Sequence, residues 1–191
     1  AREGRGCHVH VAGAAGIGKS RLLSEVAGRL QGMGARTIHL RAHPGERDVP
    51  YALASELAAE LADCPGSGEV SDGAAAVLAG LTPDLTDRYP DADAPGGGEA
   101  LRRRVVALRS LLEAVAARAP MAVLVDDLHW ADRESRQAVV SLLGTVTERS
   151  ALVVTTARTE TEAGRISLEE TERVSLEPLG EEEVRRLLVS L

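Results

Sequence analysis

Aromatic residues are scarce in this chain of 191 residues, which has no phenylalanine, one tryptophan and two tyrosines. A core built from this composition must take most of its volume from leucine, valine and alanine. Lysine is also nearly absent, because Lys19 is the only lysine among 22 basic residues. Against this background a single lysine or tryptophan carries more information than it would in an average sequence.

Cysteines, long apolar runs and basic clusters are likewise rare. Cys7 and Cys64 are far apart and have no metal-ligand spacing, which predicts a reducing compartment without disulfides. No apolar run approaches the roughly 18–20 residues that span a bilayer, so we expect a cytoplasmic protein with no membrane partner. The net charge of −7 argues against direct binding of a nucleic-acid backbone. Any DNA contact is therefore expected through domains outside this chain, which looks like part of something longer.

Strand and helix patterns alternate along the chain, which is typical of a three-layer α/β domain with a largely parallel sheet. Strands are predicted at residues 7–12, 35–41, 121–125, 151–156 and 172–176. Helices are predicted at residues 19–30, 50–62, 99–118, 133–147 and 180–191, with a short helix near 73–81. Pro50 is expected to open its helix. The remainder of residues 63–98, rich in proline and glycine, is predicted to be surface loop.

Eight consecutive residues fit the phosphate-binding pattern G-x-x-x-x-G-K-[ST] between a predicted strand and a predicted helix, the context that this motif requires. They are Gly13, Ala14, Ala15, Gly16, Ile17, Gly18, Lys19 and Ser20. Glycines let backbone N–H groups converge on an anion, and the helix dipole adds positive potential. We expect Lys19 to contact the β- and γ-phosphates of ATP (or another nucleoside triphosphate) and the Ser20 hydroxyl to bind Mg²⁺.

Two acidic residues follow the apolar run at 121–125. Carboxylates at the carboxyl end of a central parallel strand point into the crevice where ligands bind. Asp126 is therefore predicted to hold Mg²⁺, directly or through water. Asp127 is predicted to orient, or accept a proton from, a water that attacks the γ-phosphate. Arg158, at the end of the predicted strand at 151–156, is a candidate sensor of the γ-phosphate. The histidines at positions 8, 10, 39 and 43 are interpreted as packed or surface residues.

The residues from Asp126 to Asp132 read D-D-L-H-W-A-D and follow V-L-V. This string, the P-loop flank A-G-A-A-G-I-G-K-S-R-L-L and the segment L-V-V-T-T-A-R resemble one known ATPase module. It is the AAA-type module of STAND-class bacterial regulators, and in particular of the large ATP-binding LuxR-type (LAL) transcription regulators. The similarity covers nearly the whole chain in order. Beside the site, His129, Trp130 and Asp132 match family positions whose roles are less clear.

The resemblance implies a parallel sheet of about five strands in the order 5-1-4-3-2, with ATP (or ADP) and Mg²⁺ as ligands. It implies slow hydrolysis used as a switch and self-oligomerisation in the ATP-bound state. It favours Arg158 as the sensor and extends the nucleotide-binding set to Arg21. Residues 1–179 would form the ATPase domain, and residues 180–191 the beginning of a helical lid. The family usually begins with a Gly-Arg-Glu element that helps hold the adenine. Here only Ala1-Arg2-Glu3-Gly4 precedes the predicted first strand, so we expect that contact to be missing or truncated.

The leading functional hypothesis is therefore an ATP-driven regulatory switch in a LuxR-type transcription regulator. The same module could instead be fused to a nucleotide cyclase or a protein kinase. A P-loop kinase that phosphorylates a small molecule is an alternative of another class, although residues 63–98 lack the basic cluster of a kinase lid. A nucleotide-binding scaffold without turnover is the third hypothesis.

Overall fold

The computed structural model describes residues 6–81, 83–86, 100–143, 151–165 and 171–189. A parallel sheet of five strands lies at its centre, and the strand order is β2-β3-β4-β1-β5. The strands are β1 Cys7–Gly13, β2 Arg36–Arg41, β3 Met121–Asp126, β4 Ala151–Arg158 and β5 Thr171–Leu176. This order, counted from the opposite edge, is the predicted 5-1-4-3-2, and the predicted fold class is confirmed.

Helices cover both faces of the sheet. The helices in the described part of the chain are α1 Lys19–Gly32, α2 Ala52–Ala62, α3 Asp72–Ala79, α4 Pro83–Thr86, α5 Ala100–Ala116, α6 Arg133–Leu143 and α7 Glu181–Val189. On one face α1 packs Leu23 against Val11 and Leu124. On the other face α2, α5 and α6 form the larger cluster, which α3 extends. All six residues of β3 are buried, as expected for a central parallel strand with both faces covered. No helix among these is both long and apolar enough to cross a membrane.

Leucine supplies most of the large buried side chains, as the shortage of aromatic residues predicts. The largest fully buried side chains are Leu23, Leu40, Leu53, Leu61, Leu78, Leu85, Leu108, Leu111, Leu124, Leu128, His8 and His10. The two histidines lie on the same face of β1. Hydrogen bonds join Thr155 to His8 Nε2 at 3.0 Å and to His10 Nδ1 at 2.8 Å. They are packed residues, in agreement with their interpretation from the sequence.

Two predictions of local structure were wrong. Helix α2 begins at Ala52 and not at Pro50, because Tyr51 has left-handed backbone angles (φ 63°) and precedes the helix as its N-cap. The Tyr51 N–H donates to Asp132 Oδ1 at 2.9 Å, a contact made across 81 positions that local sequence rules do not capture. The segment after residue 63 also departs from the prediction in one place. The short helix predicted near 73–81 is present as α3, but Pro83–Thr86, predicted as loop, forms the helix α4, and its Leu85 is buried in the large cluster. Residues 82 and 87–99 lie outside the described part.

Candidate functional site

The phosphate-binding loop connects the end of β1 to the start of α1. Gly16 and Gly18 have φ angles of 73° and 103°, a left-handed conformation that glycine adopts without steric cost. Gly13 is required for another reason, since a Cβ there would lie 2.9 Å from Ile17 Cγ2 and 3.2 Å from Leu176 Cβ. The sequence therefore curls this loop as a phosphate cradle requires.

The only lysine of the chain lies inside this loop and is just 6% exposed. Its Nζ donates to the Gly13 carbonyl at 3.0 Å and to the Ala14 carbonyl at 2.8 Å. These two loop carbonyls hold the ammonium group of Lys19 at the N-terminal end of α1. Ser20 and Arg21 follow it in the first turn of α1, and both are exposed.

Asp126 ends β3 at the carboxyl edge of the sheet and is 2% exposed. Its Oδ1 accepts a short hydrogen bond from Thr156 Oγ1 at 2.6 Å and a second one from the Asp127 N–H at 3.1 Å. Its Oδ2 faces only the Arg41 Nε, at 4.0 Å, among the described residues. A buried carboxylate with one anchored and one available oxygen fits a Mg²⁺ ligand, since Mg²⁺ is commonly bound by one or two carboxylates plus phosphates and water.

Asp127 begins the 3-10 turn Leu128–Trp130 with left-handed backbone angles (φ 55°, ψ 38°), which aspartate tolerates better than most residues. Its N–H also donates to Thr156 Oγ1 at 2.9 Å, so that one hydroxyl contacts both acidic residues. On the side chain, Oδ2 accepts from Arg41 at 3.2 Å, and Oδ1 lies 3.9 Å from His129 Nδ1.

Arg158 ends β4 directly beside the phosphate loop, since its register partner on β1 is Gly13. The guanidinium carbon lies 5.6 Å from the centroid of the Trp130 ring, a cation–π arrangement. Trp130 also contacts His129, with 5.0 Å between the ring centroids. Trp130 therefore connects the turn after Asp127 to the end of β4.

His129 is buried, at 7% exposure. Burial is the main cause that lowers its pKa below the ordinary histidine value. The nearby Asp127 carboxylate opposes this shift, whereas the positive charges of Arg158 and Lys19 add to it. The imidazole is therefore neutral at pH 7.

The fold thus brings together the predicted residues of three strands: the P-loop after β1, the two aspartates after β3, and Arg158 at the end of β4. Sequence analysis missed two contacting residues, Thr156 and Arg41. A signal for Arg41 was available, because the predicted strand order places the end of β2 beside the end of β3. Thr156 lies in the strand segment next to the same edge. Three or more clustered His, Cys, Asp or Glu side chains, which could form a separate metal site, do not occur in the described ranges.

A glycine-rich loop between β1 and α1, with acidic residues at the end of β3 in a 2-3-4-1-5 parallel sheet, defines a P-loop nucleotide-binding protein. Residues 1–154 match the family model of the AAA ATPase domain. The chain therefore belongs to the AAA ATPase domain family. This membership confirms the predicted class of nucleotide-binding ATPase domain.

The chain is also similar to one protein of known sequence and to solved structures. An uncharacterized protein from Rhizobium meliloti (strain 1021) is 30% identical over 198 residues, covering 95% of this chain and 19% of the relative. The chain thus spans about a fifth of that relative's length. Among solved structures, it resembles a STAND protein with a tetratricopeptide repeat sensor from Pyrococcus horikoshii. The TM-score is 0.56 at 17% identity, covering 99% of this chain and 23% of that one.

A weaker structural likeness, with a TM-score of 0.49 at 15% identity, links it to the Aeropyrum pernix ORC1 protein solved in complex with DNA. That match covers 96% of this chain and 43% of the other chain. At 17% identity the Pyrococcus horikoshii structure shows a shared fold; neither solved structure assigns a partner to this chain.

Proposed function

We propose that this domain binds ATP with Mg²⁺ and hydrolyses it slowly, as the regulatory switch of a multidomain signal-transduction protein. The observation that carries the proposal is the placement of the only lysine. It lies buried in a glycine-rich loop at the same sheet edge as two aspartates and an arginine. Lysine is almost never fully buried unless it is paired. Its burial among loop carbonyls, at the sheet edge that also carries three other charged side chains, therefore favours a ligand-binding role over a structural one.

Each residue has a role in this proposal. The backbone N–H groups from Gly13 to Ser20 hold the phosphates together with Lys19, and Arg21 belongs to the nucleotide-binding set. Ser20 and Asp126 would hold Mg²⁺, which neutralises charge on the β- and γ-phosphates.

In hydrolysis, a water attacks the γ-phosphorus while the bond to the β–γ bridging oxygen breaks and ADP leaves with that electron pair. Asp127 orients the water and accepts its proton. Arg158 contacts the γ-phosphate and reports its presence to the rest of the protein.

The whole protein in which this domain acts is also part of the proposal. We propose a LuxR-type transcription regulator, supported by the D-D-L-H-W-A-D string that follows β3. The relative of about five times the length supports a multidomain setting. DNA contact would come from other domains, as the net charge of −7 indicates.

Nucleotide binding can be followed through the fluorescence of Trp130, the only tryptophan of the chain, and hydrolysis through phosphate release. Lys19→Ala should weaken ATP binding about 10- to 100-fold, since it removes charge-assisted contacts. Asp127→Asn should keep ATP affinity while phosphate release falls about 10²- to 10⁴-fold, as expected for loss of a general base.

Asp72→Asn is the matched control, because Asp72 is an exposed carboxylate at the start of α3. It should change neither binding nor turnover. Undiminished turnover in Asp127→Asn would reject the role of Asp127. Phosphate transfer to an added small-molecule acceptor would identify a kinase, and tight binding without release would identify a scaffold.

A further inference from the structure

His129 has an unusual environment for a buried histidine. Both ring nitrogens are enclosed, and neither has a hydrogen-bond partner within the described part of the chain. A neutral imidazole has one N–H donor and one acceptor nitrogen, and leaving either unpaired in a buried position costs about 1–3 kcal/mol. Such a group in a native fold calls for an explanation, either a bound water or ion or a role in the chemistry of the site.

The structure provides one acceptor beside His129 Nδ1, the Asp127 Oδ1 at 3.9 Å. This distance is too long for a hydrogen bond, but a hydrogen bond would form if the two side chains moved closer by roughly 1 Å. Catalytic hydrogen bonds are often long in ligand-free enzymes and tighten when the substrate is bound. The Asp127 side chain can make this adjustment because, among the described residues, only Arg41 holds its other oxygen, and the Arg41 side chain is 59% exposed. An ion pair to so exposed an arginine orients a carboxylate weakly.

The imidazole is more deeply buried than the carboxylate, with side-chain exposures of 3% and 19%. Its ring packs against Trp130, and Arg158 in turn packs on the indole. A donor fixed in this way can define the direction in which the remaining Asp127 lone pairs point. If Nδ1 carries the proton, Nε2 becomes an acceptor.

We propose that His129 is a positioning residue for Asp127: its Nδ1–H donates to Asp127 Oδ1 and fixes the carboxylate in the orientation that activates the attacking water. The effect on turnover depends on the proposed ATPase function, whereas the hydrogen bond does not. In this arrangement Arg41 and His129 hold opposite oxygens of one carboxylate. The alternative is a histidine that only fills space against Trp130.

Three substitutions separate positioning from packing. His129→Asn places an amide N–H near the position of Nδ1, His129→Gln places one near Nε2, and His129→Leu removes both while keeping the volume. Turnover in the asparagine variant should stay within several-fold of wild type. The glutamine and leucine variants should lose about 10- to 100-fold in kcat, the loss expected when a catalytic group is misplaced by about 1 Å. The Kd for ATP should change less than about twofold in all three variants, because positioning acts after binding.

A double-mutant cycle provides the second test. If His129 acts through Asp127, His129→Leu should cause no further loss of turnover in an Asp127→Asn protein. Losses that multiply in the double variant, or equal activity of the glutamine and asparagine variants, would overturn the proposal.

A third measurement does not depend on hydrolysis. ¹⁵N NMR of the whole chain labelled in histidine reports which ring nitrogen carries the proton, and the His129 signal is assigned by its loss in His129→Asn. We expect the Nδ1–H tautomer with ATP bound, and a shift of the Nδ1 resonance in Asp127→Asn. The proposal would be overturned if His129 were the Nε2–H tautomer and its ring ¹⁵N resonances did not change in Asp127→Asn. If wild-type protein binds ATP without releasing phosphate, the proposed function fails, and this measurement still decides the hydrogen bond.

Discussion

Thr156 offers the sharpest test of how the site is held together. Its side chain is fully buried, and its hydroxyl donates to Asp126 Oδ1 at 2.6 Å while accepting from the Asp127 N–H at 2.9 Å. Thr156→Val keeps the shape of the side chain and removes both interactions. It therefore tests whether this hydroxyl orients both acidic residues.

The magnitude follows from these two hydrogen bonds. A hydrogen bond to a charged group contributes about 1.5–3 kcal/mol, and the O–H···O⁻ bond to Asp126 is the short kind expected to be strong. The Asp127 N–H keeps a second acceptor, Asp126 Oδ1 at 3.1 Å, so its loss adds little. We expect Thr156→Val to lower the free energy of unfolding by about 2 kcal/mol. For a domain of this size the corresponding fall in Tm is about 4–8 °C.

Chemical and thermal denaturation followed by circular dichroism measure this loss, and Thr155→Val is the matched control. Thr155 is the preceding residue and is also fully buried, but its hydroxyl contacts His8 and His10 instead of the aspartates. The control should also lose stability, yet it should keep the Mg²⁺-dependent affinity for ATP that Thr156→Val weakens. Thr156→Ser, which retains the hydroxyl, should keep this affinity.

A stability loss below about 0.5 kcal/mol in Thr156→Val would refute the reasoning, because it would mean that the short hydrogen bond contributes no more than an ordinary surface contact. Equal weakening of Mg²⁺-ATP binding in Thr155→Val would refute it as well, since the effect would then come from general loosening of β4.

Three further predictions concern other parts of the fold. Burial, with a smaller effect of His10, lowers the pKa of His8 to about 3. As the pH drops below 6.5, His8 therefore takes up a proton in the unfolded chain before it does so in the folded chain, and the free energy of unfolding should fall. When the free energy of unfolding is measured by denaturation between pH 6.5 and 5, its slope against pH should be up to about 1.4 kcal/mol per pH unit steeper than in His8→Gln. An equal slope in the two proteins would contradict the buried neutral ring. Gly164→Ala should cost about 1–3 kcal/mol, because its Cβ would lie 2.0 Å from the Arg158 carbonyl oxygen; a neutral result in thermal denaturation would reject this clash. Asp132 caps the start of α6, and its Oδ1 accepts from the N–H groups of Ser135 and Tyr51 at 2.8 and 2.9 Å. Asp132→Ala should therefore lower the free energy of unfolding by about 1–2 kcal/mol, and unchanged stability in urea would argue against this capping role.

The alternation of apolar runs and amphipathic segments predicted the strands and helices. The strand order could be predicted because the chain resembles a known ATPase module over nearly its whole length, with the motifs in the same order. The phosphate loop could be predicted because its conformation is local: Gly16 and Gly18 adopt left-handed angles by themselves. The start of α2 could not, because the left-handed angles of Tyr51 accompany a hydrogen bond to Asp132 in another segment. The helix α4 was missed for a similar reason, since the prolines and glycines of its segment suggest loop, whereas packing on α2 and α3 buries Leu85.

From the sequence alone it is determined that this protein has a P-loop followed by a helix, a buried strand ending in two aspartates, and an arginine at the end of the next strand. These features depend on residues within a few positions of each other, where turn chemistry and periodicity act. Only the tertiary structure decided that Thr156 anchors Asp126 across 30 positions and that Arg41 reaches Asp127 across 86. The same is true of the two ring nitrogens of His129, which lie beside Asp127 and have no hydrogen-bond partner among the described residues. Such contacts depend on the register and packing of neighbouring strands, which set distances that no local pattern encodes.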